Sequence, residues 1–186
     1  MQDIESTYGI KKGEILGVLT HADGTEETFH QHIDPASLSA FVKNLIVDRA
    51  SILMAQHMKG DSVPGITYLA VGTGTGTGTT QNPQSAVSTA NKLRSELTRK
   101  LVQIAYYDTN NATGTTLTDG QGRSNILDIS VTFNENEAVG ALTEMGLFGG
   151  NATAAKDSGD MVNFKTFAVW NKPASSTLAW KWRLTF

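Results

Sequence analysis

Ser-Thr-Leu-Ala-Trp-Lys-Trp-Arg-Leu-Thr-Phe, residues Ser176 to Phe186, alternates without a break. Leu178, Trp180, Trp182, Leu184 and Phe186 share one face; Ala179, Lys181, Arg183 and Thr185 share the other. Side chains two apart lie on one side of a strand, so this stretch predicts a half-buried β-strand with a heavy apolar face. At roughly 1.5–3 kcal/mol per fully buried large side chain, that face contributes on the order of 10 kcal/mol. A terminal segment carrying core residues must be tied into a sheet. It is therefore expected as a central strand.

The rest of the chain supplies partners for it. Asn125 to Asn134 alternates in the same way, with Leu127, Ile129, Val131 and Phe133 inward. Ala141–Phe148, Met161–Trp170, Ile66–Val71 and Leu101–Tyr107 read as further strands. Gly13–Thr20 and Glu26–Ile33 flank Ala-Asp-Gly-Thr, a hairpin signal. The hairpin is polar enough to be expected on the surface or against a neighbouring subunit. Leu38 to Met58 has helical spacing, with a blemish at Val47-Asp48-Arg49. It predicts either one bent helix over 36–59 or a second helix capped by Asp48, ended by Gly60 in both cases. Ala86, Ala90, Leu93 and Leu97 predict another helix over 85–100. The expected fold is mostly β. It is an antiparallel β-sandwich with one or two inserted helices and an N-terminal hairpin or arm, divided into 1–34 (arm and hairpin) and 35–186 (sandwich).

Composition narrows the function classes. The 186 residues carry a net charge of −3, with Lys and Arg scattered. That pattern argues against a nucleic-acid surface, which wants a basic stripe. There is no cysteine, hence no disulfide frame or thiolate metal site. The first residues are acidic and do not read as a signal peptide. No apolar run is long enough for a membrane helix.

Candidate chemistry is thin. Gly72–Thr80 is Gly-Thr-Gly-Thr-Gly-Thr-Gly-Thr-Thr. It lacks the Gly-Lys-[Ser/Thr] of a phosphate loop and is expected to be a flexible surface loop. His30 and His32 are the metal candidates, two apart on one strand face, with His21 or Asp23 as a third ligand; the bland alternative is two solvated histidines. Glu96 and Arg99, placed on the helix over 85–100, and Glu144 could serve acid–base work. Their plainer reading is a polar tie seating that helix on the sheet. Trp170, before the Lys172-Pro173 turn, is the tryptophan expected to be exposed and available to a sugar ring. The loops at 108–123 and 149–160 complete that candidate ligand surface. No cofactor and no catalysis are expected; a metal-assisted hydrolase on His30 and His32 is the disfavoured rival.

Three segments carry a resemblance. Ile66-Thr-Tyr-Leu-Ala-Val-Gly-Thr-Gly74 resembles the opening of the phage tail-collar fibre module. Leu93-Arg-Ser-Glu-Leu-Thr-Arg-Lys100 is similar to its helix, and Leu142-Thr-Glu-Met-Gly-Leu-Phe148 to its following strand. The Lys172-Pro173 turn and the final β-strand follow in the expected order, and with the upstream helix the likeness covers about residues 44–186. It implies a bacteriophage virion structural protein that assembles with itself, as a trimer or hexamer, and with other virion proteins. In the fibre proteins such a module leads into a shaft; the sequence stops at Phe186. The expectation is therefore a collar, neck, tail or baseplate adaptor, located in the virion after assembly in the host cytoplasm. A capsid decoration protein, or a carbohydrate- or receptor-binding module of a short tail fibre, is the alternative. Neither nucleic acid nor membrane is expected as a partner.

Overall fold

The computed structural model describes residues 12–33, 45–107 and 120–186. Among these described residues, ten strands and one helix follow in chain order: β1 (Lys12–Thr20), β2 (Glu26–Ile33), β3 (Leu45–Ile46), α1 (Asp48–Lys59), β4 (Ile66–Gly72), β5 (Glu96–Leu101), β6 (Gln103–Tyr106), β7 (Ile126–Phe133), β8 (Gly140–Gly149), β9 (Asp160–Lys172) and β10 (Thr177–Thr185). They form two antiparallel sheets packed as a β-sandwich. Sheet A has the order β2-β1-β10-β7-β6, and sheet B the order β3-β9-β8-β4-β5.

The terminal strand is the middle of sheet A. Leu178, Trp180, Trp182 and Leu184 are buried between the sheets. They meet Ile15 and Leu19 of β1, Ile129, Val131 and Phe133 of β7, and Leu69, Val71, Leu142, Met145 and Leu147 of sheet B. The N-terminal hairpin forms as expected. Asp23 Oδ1 accepts the Thr25 N–H at 2.9 Å, and Gly24 takes a positive φ of 82°. It is no detached arm, however, because β1 pairs with β10 along its whole length. The boundary at residue 34 thus falls inside one sandwich. Residues 1–11, 34–44 and 108–119 lie outside the described residues, and with them most of the expected leader, the first part of the helix over 36–59 and most of the 108–123 loop.

Helix α1 starts at Asp48, with Val47 in the cap position and extended. Asp48 is therefore the first helical residue rather than the cap, with its charge at the positive end of the helix. Gly60 ends the helix at φ 86°. Its N–H meets the His57 carbonyl, and the Asp61 N–H meets the Gln56 carbonyl; this is the paired closure that favours glycine.

The helix expected over 85–100 is absent. Residues 85–95 run irregularly, and β5 follows as a strand against β4. The 3.6 spacing of Ala86, Ala90, Leu93 and Leu97 misled because these residues pack on two different surfaces. The first three cover the outer face of sheet B, and Leu97 joins the main core. A helix would also use the N–H groups of Arg94 and Ser95 in its own ladder, whereas both are donated to the Glu144 carboxylate.

Strand β5 continues into β6 and changes sheets. The Val102 N–H still bonds Thr67 O beside β4, and one residue later the chain pairs with β7. The chain also changes sheets between β2 and β3, between β7 and β8, and at the corner between β9 and β10. The terminal strand therefore lies in the opposite sheet from β9. At this corner the buried Lys172 ammonium donates to the carbonyls of Asn134 and Ser176, at 3.1 and 2.6 Å.

One glycine is fixed by packing. A Cβ on Gly17 would stand 2.6 Å from Trp180 Cζ3 and 2.7 Å from Trp170 Cζ3, both rigid ring atoms. Gly17→Ala is expected to lower stability by about 1–3 kcal/mol, the usual effect of overpacking. Urea unfolding followed by tryptophan fluorescence measures it; an unchanged midpoint would mean the indoles are not held at this distance.

Candidate functional site

The polar residues singled out from sequence fall on the outer face of sheet B. Glu144 on β8, Gly72 on β4 and Glu96 on β5 stand in one row across three strands. The Glu144 side chain is fully buried. Its Oε1 accepts the Ser95 N–H at 2.8 Å and the Gly74 N–H at 3.3 Å, and its Oε2 accepts the Arg94 N–H at 3.1 Å. A Cβ on Gly72 or Gly74 would come within 2.6 or 2.7 Å of Glu144 Oε1. The first glycines of the Gly-Thr run thus make room for a carboxylate of the same chain. The run is tied down at both ends, since Thr80 O accepts the Val169 N–H at 2.6 Å. The run is a loop, as expected, with both ends bonded to the rest of the chain. Burial pushes the Glu144 carboxyl above its ordinary range, and the three N–H donors pull it partway back.

Glu96 and Arg99 form a second tie, on a strand and not on a helix. The Arg99 guanidinium meets both oxygens of Glu96, at 2.6 and 2.7 Å, with both side chains buried. Paired planar forks suit such a bidentate contact. Arg99 Nη1 also donates to Ser158 O at 2.7 Å, and the guanidinium stacks 4.3 Å from the Phe148 ring centre. Glu96 Oε2 accepts the Asp157 N–H as well. The pair therefore clamps the 150–159 loop onto the sheet, as Glu144 clamps the 73–95 segment. Glu144 and Glu96 share a row, but Glu144 and the Glu96–Arg99 pair bond different loops.

The metal candidates are engaged separately. His30 Nε2 lies 2.7 Å from Glu14 Oε1. Asp23 binds Thr25, which holds its carboxyl below the ordinary range. The side chain of His32 lies outside the described residues. Among the described residues no three potential metal ligands gather.

Trp170 is half-buried rather than exposed. Its ring lies 5.3 Å from Trp180 and 5.9 Å from Phe29, centre to centre, and its Nε1–H donates to Glu27 Oε2 at 3.0 Å. The sequence missed why. Glu27 is two residues before Phe29 on β2, and the hairpin folds both over the end of β9. The same corner holds an unforeseen array: His21 Nδ1 is 3.2 Å from Ser176 Oγ, and His21 Nε2 is 3.0 Å from Glu27 Oε1. Hydroxyl, imidazole and carboxylate in that connectivity are the parts of an activated nucleophile. Here Ser176 is 1% exposed and lies beneath Lys172, whose ammonium takes its carbonyl. The hydroxyl has no open space before it for a substrate. Nothing in the sequence could have joined residues 155 positions apart.

Two open grooves stand out among the described residues. The larger, about 440 Å³, lies between β5 and the turn after β7, lined by Leu97, Phe133, Ala138 and the Lys100–Glu137 ion pair. Asn136 and Ala138 in that turn have positive φ, 61° and 53°. The smaller, about 200 Å³, is bounded by Glu14, Leu16, Lys181 and Arg183. Neither contains Glu144, His21 or Ser176.

No protein-family model matches the chain. No curated protein matches it significantly.

Two variants test the buried charges. Glu144→Ala leaves one buried and two partly buried N–H groups without acceptors and is expected to cost about 1–3 kcal/mol. Glu144→Gln should recover only part, because its amide nitrogen would face a donor at one of the two positions. Equal stability of all three proteins in urea would contradict the tie. Lys165, opposite Met145 in the β8–β9 ladder, is pushed down by burial to about 8. Below pH 8 the ammonium is charged in both states and its burial opposes folding. Between pH 8 and 10.5 the unfolded chain holds the proton more tightly, so rising pH relieves the penalty. Wild type should therefore gain on Lys165→Met, by on the order of 3 kcal/mol, across that window. Parallel stability curves would contradict it.

Proposed function

We propose that this chain is a bacteriophage virion structural protein, an adaptor of the collar, neck, tail or baseplate type that joins virion parts through homo-oligomeric contacts. One observation carries the reading. The three segments that resemble the tail-collar fibre module meet in space, although the second, likened to that module's helix, runs here into strand β5. Glu144 of the last binds Gly74 of the first and Arg94 and Ser95 of the second. A resemblance made of chance matches has no reason to converge on one carboxylate.

The polar chemistry supports the same reading. Glu144, the Glu96–Arg99 pair and Lys172 are buried, and each holds the backbone of a loop or corner. A buried charge is tolerated when its partners are built in. The result is a sandwich whose 73–95 and 150–159 segments are bonded to it by buried side chains, which suits surfaces that must fit other proteins. The carbohydrate-binding alternative draws less support, because the Trp170 ring is packed and its N–H is taken.

Sedimentation mass in solution tests the assembly part. The expected species is three or six times the 19.9 kDa chain. A strict monomer that joins no particle would contradict it. The neighbouring genes test the virion part: portal and tail genes are expected, and a metabolic operon would contradict it.

A further inference from the structure

Among the described residues, sheet A has two free edges, β2 and β6. They differ in what they offer. On β2 the bond from His21 N to Thr25 O fixes which residues face β1, so the outward backbone groups belong to residues such as Thr28 and His30. That edge bears Glu26 and Glu27, both exposed. Charged side chains along an edge discourage pairing with another strand, and a second β2 would bring carboxylates together.

The β6 edge lacks that protection. The bond from Tyr107 N to Ile126 O makes Gln103–Ser130 and Ala105–Asp128 the hydrogen-bonded pairs. Ile104 and Tyr106 therefore turn their N–H and C=O groups away from β7. The strand, Gln-Ile-Ala-Tyr, carries no charge. Its side chains stand open: Ile104 is 41% exposed and Tyr106 49%. Beside it, β5 is covered by β4 as far as Val102, whose N–H is held by Thr67. The free edge thus begins where sheet B stops covering the strand.

We propose that β6 pairs antiparallel with β6 of a second copy, about a two-fold axis at Ala105. The two outward residues are two apart, so such an axis sets Ile104 against the partner's Tyr106 and Tyr106 against the partner's Ile104. All four backbone groups on each side then find partners, and the exposed Ile and Tyr side chains cover each other. The match is self-complementary, as a two-fold interface requires, and joins two five-stranded sheets into one of ten. Lack of charge selects this edge over β2 for self-pairing. Four residues a side is small against the ~1,200 Å² of a stable interface, so the contact is reversible alone and gains strength inside a larger ring. The pairing does not depend on the virion reading.

The chain has no cysteine, which allows a direct test. In the pairing, Ala105 faces the partner's Ala105 at a Cα separation of about 4.5 Å, within the ~4.4–6.8 Å that a disulfide spans. Ala105→Cys should cross-link to a covalent dimer under mild oxidation, and Thr28→Cys on the other edge should not. Ile104→Pro removes only an outward N–H, so the β6–β7 ladder remains. It should halve the solution mass, from hexamer to trimer or from dimer to monomer. No cross-link at position 105, or equal linking at position 28, overturns the proposal. A trimer unaffected by Ile104→Pro overturns it and leaves the assembly reading standing. A dimer that separates supports the pairing and counts against a trimer or hexamer. If Ile104→Pro fails to fold, the cross-link decides alone.

Discussion

A carboxylate in the interior of a protein must be satisfied from every side, and Glu144 is satisfied by backbone. Its three donors come from two parts of one long segment, residues 74 and 94–95. This single demand fixes much of the surrounding structure. It requires glycine at 72 and 74, where a Cβ would collide with the carboxylate. It keeps Arg94 and Ser95 out of a helix, and so lets the next residues join β4 as a strand. It holds Ala86, Ala90 and Leu93 over Phe148, Met161 and Phe164, closing a second small core outside sheet B.

The same device recurs with other charges. Arg99 bonds the Ser158 carbonyl and Glu96 the Asp157 N–H, pinning the 150–159 loop. Arg94 donates to the carbonyls of Gln84 and Ser85 while lying 5.0 Å from the Phe164 ring centre. Lys172 gathers the corner between the sheets. Loops rich in Gly, Thr and Asn bury too little apolar surface to order themselves. Here buried ions do part of what apolar packing does elsewhere. Hydrogen bonds to charged groups are worth about 1.5–3 kcal/mol each, against about 1 for neutral ones, and a few per loop suffice to hold it.

The strands were readable because alternation is local. Leu178 to Leu184 and Ile129 to Phe133 declare their buried face within a few residues, and the turn at Asp23-Gly24 states its own geometry. The assignment of strands to sheets was less readable. Nothing in Lys172-Pro173 says that the chain leaves sheet B for sheet A there. Residues 85–100 failed for a related reason: helical spacing arose from contacts with two separate cores, and the deciding partner, Glu144, lies some 50 residues away. The candidate polar tie was legible as residue types, since Glu96, Arg99 and Glu144 do end up buried and bonded. Its geometry was not, because the donors are backbone groups that any sequence possesses. Trp170 read as exposed because the hairpin residues that cover it, Glu27 and Phe29, are more than 140 positions earlier.

The central claim is that buried charge in this chain fixes loops onto a β-sandwich. Amide hydrogen exchange read residue by residue tests it most directly. The Gly74, Arg94 and Ser95 amides should be protected despite lying outside regular strands, and should share one opening free energy. On Glu144→Ala all three should lose protection together, while the Trp180 and Trp182 amides in the middle of sheet A stay slow. Fast, unrelated exchange at those three amides in the wild-type protein would contradict the account.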